Sequence, residues 1–133
     1  DQIGFLEAMA SAAQSVHDYF GEGERIIYIN VMNRLSVDCD CNGHPAEPDI
    51  HDIGILASFD PVALDCACAD LVKAAPSLTG NAISDKEECT CGHHHHKGED
   101  KFRLVHPDTD WEAGVKYGEK IGLGTCAYEL IKL

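Results

Sequence analysis

The sequence predicts a small layered α/β domain in which helices flank a mostly parallel or mixed sheet. Three observations carry this prediction. A helical apolar period runs through residues 2–20, a nearly continuous apolar run rich in β-branched residues fills residues 25–33, and the segments follow the order α-β-β-α-α-β. The 133 residues can bury one core, so residues 1–133 are expected to form a single domain.

The first helix is predicted over residues 2–20, ending at Gly21 and Gly23. Its apolar stripe consists of Ile3, Leu6, Ala10, Ala13, Val16, His17 and Phe20. On this stripe, His17 is expected to be packed and hydrogen-bonded. The run at residues 25–33 fits a strand covered on both faces, as in a parallel or mixed sheet.

A second strand is predicted over residues 53–57. Asp60 and Pro61 follow it, and these residue types favour the N-cap and the first position of a helix, here expected over residues 61–74. Residues 76–106 are polar and show no sustained period, which predicts an irregular loop region.

Another helix follows Thr109 or Asp110 and closes at Gly122. Residues 126–133 alternate between apolar and polar side chains, so a last strand is predicted there. The chain begins with Asp1 inside a helical pattern, and we therefore expect it to be a fragment of a longer protein.

The chain is acidic, with 23 Asp and Glu against 10 Lys and Arg and a formal net charge of −13. Nucleic acid is bound through clusters of Lys and Arg, so neither nucleic acid nor an anionic membrane surface is expected as a partner. Metal cations and basic protein surfaces are the expected partners. The sequence has no apolar run of about 18 residues, so no transmembrane helix is expected.

Cysteine is the most informative residue type in the chain, which has seven of them. Six form three Cys-x-Cys pairs, and four histidines follow the third pair. In chain order the pairs are Cys39/Cys41, Cys66/Cys68 and Cys89/Cys91. An odd number fits poorly with a closed disulfide framework. A reducing, cytoplasmic compartment is therefore the more economical interpretation, while bridges between the pairs stay open for an oxidising one.

The same spacing has different meanings on different backbones. In an extended chain, side chains at i and i+2 point to one side, so two thiolates can reach one ion. On a helix they diverge by about 200°. The first and third pairs lie in predicted loops and can chelate, whereas the second pair lies on a predicted helix, where Cys68 is expected in the core. Cys126 has no neighbouring cysteine and is expected to be a core or surface thiol.

We therefore expect a metal site between the two loops. Thiolate and imidazole favour zinc or iron, the latter as an ion or in an Fe–S cluster. Asp38 and Asp40 would favour a cation or orient a histidine. An affinity tag is another source of a histidine run, but the internal position favours a native segment. The predicted ligands are Cys39, Cys41, Cys89, Cys91, His44, His93 and His95.

Three functions follow from this pattern. The first is a metal-binding domain of a redox-associated protein. The second is a metal-dependent enzyme, for which Asp38, Asp40 and His44 are the candidate groups. The third is a structural or docking lobe for a basic redox partner or for the missing part of the protein. The sequence contains no Gly-x-Ser-x-Gly, no phosphate-binding glycine loop and no His-Glu-x-x-His.

Three short stretches carry a family resemblance. They are Asp-Cys-Asp-Cys at residues 38–41, Asp-Pro-Val-Ala-Leu-Asp at residues 60–65 and Gly-Glu-Lys-Ile-Gly-Leu-Gly at residues 118–124. Together they resemble the C-terminal part of the uncharacterised Fe–S centre proteins, the DUF362 family. The resemblance implies a cytoplasmic prokaryotic protein linked to Fe–S or redox biology, in which Cys39 and Cys41 are functional. Members often carry a ferredoxin-like module with Cys-x-x-Cys repeats, which this chain lacks and which is an implied partner.

Overall fold

The computed structural model describes residues 1–21, 23–39, 41–81, 83 and 100–133. In chain order the elements are α1 (Gln2–Tyr19), β1 (Tyr28–Met32), β2 (Gly54–Ser58), α2 (Pro61–Ala74), α3 (Lys101–Val105) and α4 (Trp111–Ile121). β1 pairs with β2 in a two-stranded antiparallel sheet. The α/β class is confirmed, but a mostly parallel or mixed sheet is not confirmed within the described ranges.

The described residues form two compact units. Unit 1 comprises residues 1–31, 55–69 and 109–133, and unit 2 comprises the described residues of 32–54 and 70–108. The expectation of one domain over residues 1–133 stays a prediction.

Close packing in unit 1 depends on small residues of α4. This helix packs against α1, and Gly114 faces the Leu6 side chain. A Cβ at Gly118 would lie 3.1 Å from Cγ2 of Val62, so glycine lets the backbone of α4 approach α2 closely. Val62 and Leu64 are both buried although they lie about 200° apart around the helix, so α2 is covered on more than one side.

The predicted stripe of α1 is confirmed only in part. Leu6 and Ala10 are half-buried and His17 is buried, whereas Val16 and Phe20 stay exposed. The reason is that α1 turns a narrow strip of its surface towards its neighbours in the described part of the chain. No described helix combines the length and the apolar character that crossing a bilayer requires.

The sheet has one covered and one exposed face. Along β1, Tyr28, Asn30 and Met32 are less exposed than their neighbours, because alternate side chains of a strand point to opposite faces. Ile29 and Val31 are each 57% exposed. The expectation of a strand covered on both faces is therefore not met in the described residues. The continuous apolar run suggested a strand covered on both faces. A strand whose exposed face is apolar has the same pattern, and the sequence does not distinguish the two cases.

Two further differences concern the last third of the chain. The short helix α3 lies inside the 76–106 region that was expected to be irregular. Its N-terminus is held by Asp100, whose carboxylate accepts hydrogen bonds from Phe102 N–H (3.0 Å) and Arg103 N–H (3.3 Å). Five residues are too few to show a period in the sequence.

Residues 126–133 do not form the predicted strand, although all of them are described. The amide of Cys126 donates to Glu119 Oε1 (3.0 Å), and that of Ala127 donates to Thr125 Oγ1 (3.3 Å). These backbone donors thus bind side chains instead of a neighbouring strand.

The Asp60 carboxylate connects the start of α2 to the segment after α4. Its Oδ1 accepts a hydrogen bond from Ala63 N–H (2.8 Å), which is the N-cap bond expected from the sequence. Its Oδ2 accepts one from Thr125 N–H (2.9 Å). A Cβ at Gly124 would collide with this carboxylate, so only glycine fits beside it.

Asp60→Ala should destabilise the protein by about 1–3 kcal/mol, since it removes the N-cap of α2 and leaves Thr125 N–H without its acceptor. Asp60→Asn keeps an oxygen for the N-cap and should cost less. Urea denaturation followed by circular dichroism measures both, with the exposed Asp108→Ala as control. An Asp60→Ala protein as stable as the control would contradict this role.

Candidate functional site

The first cysteine pair lies on an exposed loop between β1 and β2. The Sγ atoms of Cys39 and Cys41 are 2.7 Å apart, so both sulfurs lie on the same side of the loop. The amide of Cys41 also donates to Cys39 Sγ (3.4 Å). A backbone donor at sulfur stabilises negative charge there, as it does around metal-bound thiolates. The two sulfurs thus lie on the same side of the loop, as the i, i+2 argument predicts, while their role as metal ligands stays a prediction.

The connection that carries the pair is closed by successive hydrogen bonds across it. Ile53 N–H donates to Met32 O (2.9 Å), and Asp49 N–H donates to Leu35 O (2.8 Å). Nearer the tip, Asp38 Oδ2 accepts from Ala46 N–H (2.7 Å).

At the tip itself, Asn42 N–H donates to Cys39 O (2.9 Å). The loop is therefore held by its own backbone and by the Asp38 carboxylate.

His44 belongs to the same loop, where its amide donates to Asn42 Oδ1 (3.0 Å). Within the described ranges, no three His, Cys, Asp or Glu side chains are grouped so that they could hold a metal ion, and His44 is thus not grouped with the pair. The remaining predicted site residues lie outside the described residues. They are Asp40, Cys89, Cys91, His93 and His95.

The second pair lies on α2, as predicted, and its members have different surroundings. Cys66 is half-buried, whereas Cys68 is buried. Asn30 of β1 donates from Nδ2 to Cys68 Sγ (3.3 Å) and to Asp65 Oδ1 (3.2 Å). The helix thus separates the pair, and Cys68 joins a small polar cluster with a carboxylate and an amide.

This cluster changes the acidity of two groups. Burial raises the pKa of the Cys68 thiol, the Asn30 hydrogen bond lowers it, and the negative charge of Asp65 raises it further. Desolvation also raises the pKa of the Asp65 carboxyl, against the hydrogen bond from Asn30. A thiol with a raised pKa is a poor nucleophile and metal ligand at neutral pH, so Cys68 is a structural residue.

A second cluster, which sequence reasoning did not find, lies in unit 1. His17 Nδ1 is 3.1 Å from the hydroxyl oxygen of Tyr28, which confirms that His17 is packed and hydrogen-bonded. The pKa of Tyr28 is raised, first by desolvation and then by the negative charge of Asp60. Gly23 packs against the histidine, since a Cβ there would lie 2.5 Å from His17 Cε1.

An open cleft of about 770 Å³ lies beside this cluster. Its walls are His17, Gly23, Glu24, Phe59, Asp60, Gly122, Leu123 and Gly124. The glycines that follow α1 and α4 were the only sequence signal of this cleft. That signal does not show which loops meet, because the loops are far apart in sequence.

The raised pKa of Asp65 predicts a pH-dependent effect of Asp65→Asn. Because the folded-state pKa lies above the ordinary value of 3.8, the folded protein binds this proton more tightly than the unfolded chain does. The free energy of unfolding of the wild type therefore falls as the pH rises from the ordinary pKa towards the folded-state pKa. Asp65→Asn has no carboxyl to titrate, so it does not lose this stability. The stability of the variant relative to wild type should increase with pH and then level off.

Urea denaturation at a series of pH values measures this difference. Asp108→Asn, which changes an exposed carboxyl, is the control and should show no such trend. A difference between Asp65→Asn and wild type that stays constant with pH would contradict the assigned cause.

Comparison with known proteins adds one match. A family model described as a domain of unknown function (DUF362) matches residues 1–70, which include α1, both strands, the Cys39/Cys41 loop and the first part of α2. Neither a curated protein nor a solved structure matches the chain. Because the family match covers more than half of the 133 residues, this chain belongs to the DUF362 family.

Proposed function

We propose that this chain is a metal-binding domain of a redox-associated protein, in which Cys39 and Cys41 hold zinc or iron. The observation that carries the proposal is the position of the two sulfurs, 2.7 Å apart on an exposed loop, with a backbone amide donating to one of them. Two sulfurs on one side of a loop can bind the same ion, or neighbouring irons of a cluster.

The pair supplies two of the four positions of a tetrahedral site. The remaining ligands are proposed from the sequence, and the second loop offers Cys89, Cys91, His93 and His95, with His44 as a further donor. The loop is exposed, so ligands from another segment can approach the sulfurs. Asp38 adds negative charge one residue before the pair, which favours a cation.

A reducing compartment belongs to the same proposal. A disulfide within the pair would remove both ligands, and thiols stay reduced in the cytoplasm. We therefore infer a cytoplasmic location. Metal binding displaces protons from the thiols, so affinity should increase with pH.

Replacement of both cysteines should abolish thiolate coordination. Cobalt(II) added to the reduced wild-type chain should give the near-ultraviolet absorption of a sulfur–cobalt bond, and zinc at about 100 times its Kd should stabilise the fold by about 2.7 kcal/mol. The Cys39→Ser/Cys41→Ser chain should show neither effect, whereas the control Cys126→Ser should show both. The protein must be purified without a nickel column, because the histidine run would collect nickel.

Two results bear directly on this site. A double variant that binds zinc with unchanged affinity and stoichiometry would overturn the role of the first pair. A Cys89→Ser/Cys91→Ser chain measured beside it reports on the second loop, and loss of thiolate absorption in both chains would indicate one shared site.

The exposed apolar side chains of unit 1 favour a second function, that of a docking lobe. Ile29, Val31 and Ile55 lie on the uncovered face of the sheet, and Ile55 is 70% exposed. A separate exposed apolar stripe lies on α1, at steps of four, seven and three residues. It consists of Phe5, Met9, Val16 and Tyr19. Exposed apolar surface is typical of an interaction site.

The net charge of −13 indicates what kind of partner suits this surface. An apolar patch on a strongly acidic chain complements an apolar patch surrounded by Lys and Arg. We infer that the partner is basic, either a separate redox protein or a ferredoxin-like module of the kind that the family resemblance implies. A partner on this face would also supply the second layer of the mixed, helix-flanked sheet expected from the sequence.

The uncovered face of the sheet can be tested with a ferredoxin-like module from a longer DUF362 protein as the added partner. Its binding should weaken with salt, because screening reduces the attraction between opposite charges. Ile29→Ser/Ile55→Ser should weaken binding by about tenfold or more, which corresponds to about 1.4 kcal/mol. Calorimetric titration measures this, with the C-terminal Lys132→Ser as control. Equal binding by the double variant and wild type would contradict a role for this face.

A further inference from the structure

Unit 2 contains a second, smaller and partly open cavity of about 200 Å³, separate from the Cys39/Cys41 tip of its loop. Most of its walls are apolar. They include Leu35, Val37, Ile50, Val72, Ile83 and Phe102. Apolar walls suit the hydrocarbon part of a ligand, and an apolar cavity of about 150 Å³ is already large enough to bind benzene.

Asp49 is the exception among these walls. It is only 2% exposed, and its backbone is fixed on both sides. Its N–H donates to Leu35 O (2.8 Å), while its own carbonyl accepts from Leu78 N–H (2.8 Å) and Asn81 Nδ2 (3.0 Å). These bonds fix the backbone at Asp49, and the packing of the surrounding walls keeps its side chain buried.

The Asp49 carboxylate is only half satisfied. Oδ1 accepts a hydrogen bond from Ile83 N–H (3.4 Å), but Oδ2 is buried and has no partner among the described residues. A buried carboxylate oxygen without a donor is unfavourable, because water is lost and nothing replaces it. Asp49 also lines the cavity, so a ligand that carries an N–H group can supply the missing donor once the side chain rotates towards it.

The buried cation beside the cavity is engaged elsewhere. Lys101 lines the same cavity and is 5% exposed, yet its Nζ donates to Lys73 O (2.8 Å) in the last turn of α2. Carbonyls at a helix C-terminus attract a cation, which holds the ammonium group in place. No hydrogen bond joins Lys101 to Asp49 among the described residues.

We propose that this cavity binds a small amine, with the nitrogen donating to Asp49 Oδ2 and an apolar group of the size of a phenyl ring filling the rest. The acceptor is the unpartnered oxygen, the volume sets the size, and the walls set the apolar character of the ligand. This site is independent of the proposed metal function, since it uses neither cysteine of the first pair.

Benzylamine, benzyl alcohol and toluene are suitable probes, because they share the ring and differ in the donor. Isothermal titration and thermal unfolding of the whole reduced chain should show binding of benzylamine at least about tenfold tighter than that of toluene, a difference of about 1.4 kcal/mol. Benzyl alcohol, a neutral donor, should lie between them. Equal binding of benzylamine and toluene, or binding of neither, would overturn the proposal.

Asp49→Asn replaces the carboxyl by an amide of the same shape, and it should reduce the preference for benzylamine over toluene to about threefold or less. The exposed Asp108→Asn is the control and should bind as wild type does. An Asp49→Asn chain with the full wild-type preference would show that the amine binds elsewhere and would overturn the proposal. The three-probe comparison on wild type decides the question even where Asp49→Asn does not fold.

Discussion

The Asp60 carboxylate is the interaction on which the arrangement of unit 1 depends. One oxygen binds the first turn of α2, and the other binds Thr125 after α4, 65 positions along the chain. With the start of α2 fixed at Pro61, Val62 reaches the close approach at Gly118, and Cys68 faces Asn30 of β1. The charge of the same carboxylate contributes to the raised pKa of Tyr28 beside His17.

Backbone conformation, more than residue type, decides what each cysteine can do. Cys68 lies on a helix face whose burial raises the pKa of its thiol, so the proton stays on sulfur at neutral pH. Cys39 and Cys41 lie on an irregular exposed loop, where their sulfurs converge and an amide donates to one of them. Identical spacing in the sequence thus produces a core residue in one place and two converging, exposed sulfurs in another.

The sequence was sufficient to predict the structure wherever residues close together in the chain determine it. Asp60 and Pro61 predicted the start of α2, Gly122 predicted the end of α4, and the i, i+2 argument separated the first and second cysteine pairs. It was insufficient where distant segments meet. The contact between His17 and Tyr28 and the buried position of Asp49 depend on packing that no local pattern records.

The alternation of apolar and polar residues at 126–133 predicted a strand that does not form, and the reason is related. A strand needs a neighbour for its amides, and the first two amides of this segment, those of Cys126 and Ala127, donate to the side chains of Glu119 and Thr125 instead. Local side-chain acceptors competing with a sheet are not visible in a pattern of apolar and polar residues.

The β1–β2 connection links the two proposed sites of unit 2 through one set of hydrogen bonds. Asp49 N–H closes the loop onto Leu35 O, and the segment after Leu35 forms part of the cavity wall before it reaches Cys39. Closing a loop costs conformational entropy, and here backbone bonds and Asp38 supply the closure before any metal binds. A chelating pair that is already closed loses less entropy on binding an ion than a disordered one does. The hydrogen bond from Asp49 N–H to Leu35 O therefore belongs both to the cavity wall and to the closure of the loop that carries Cys39 and Cys41.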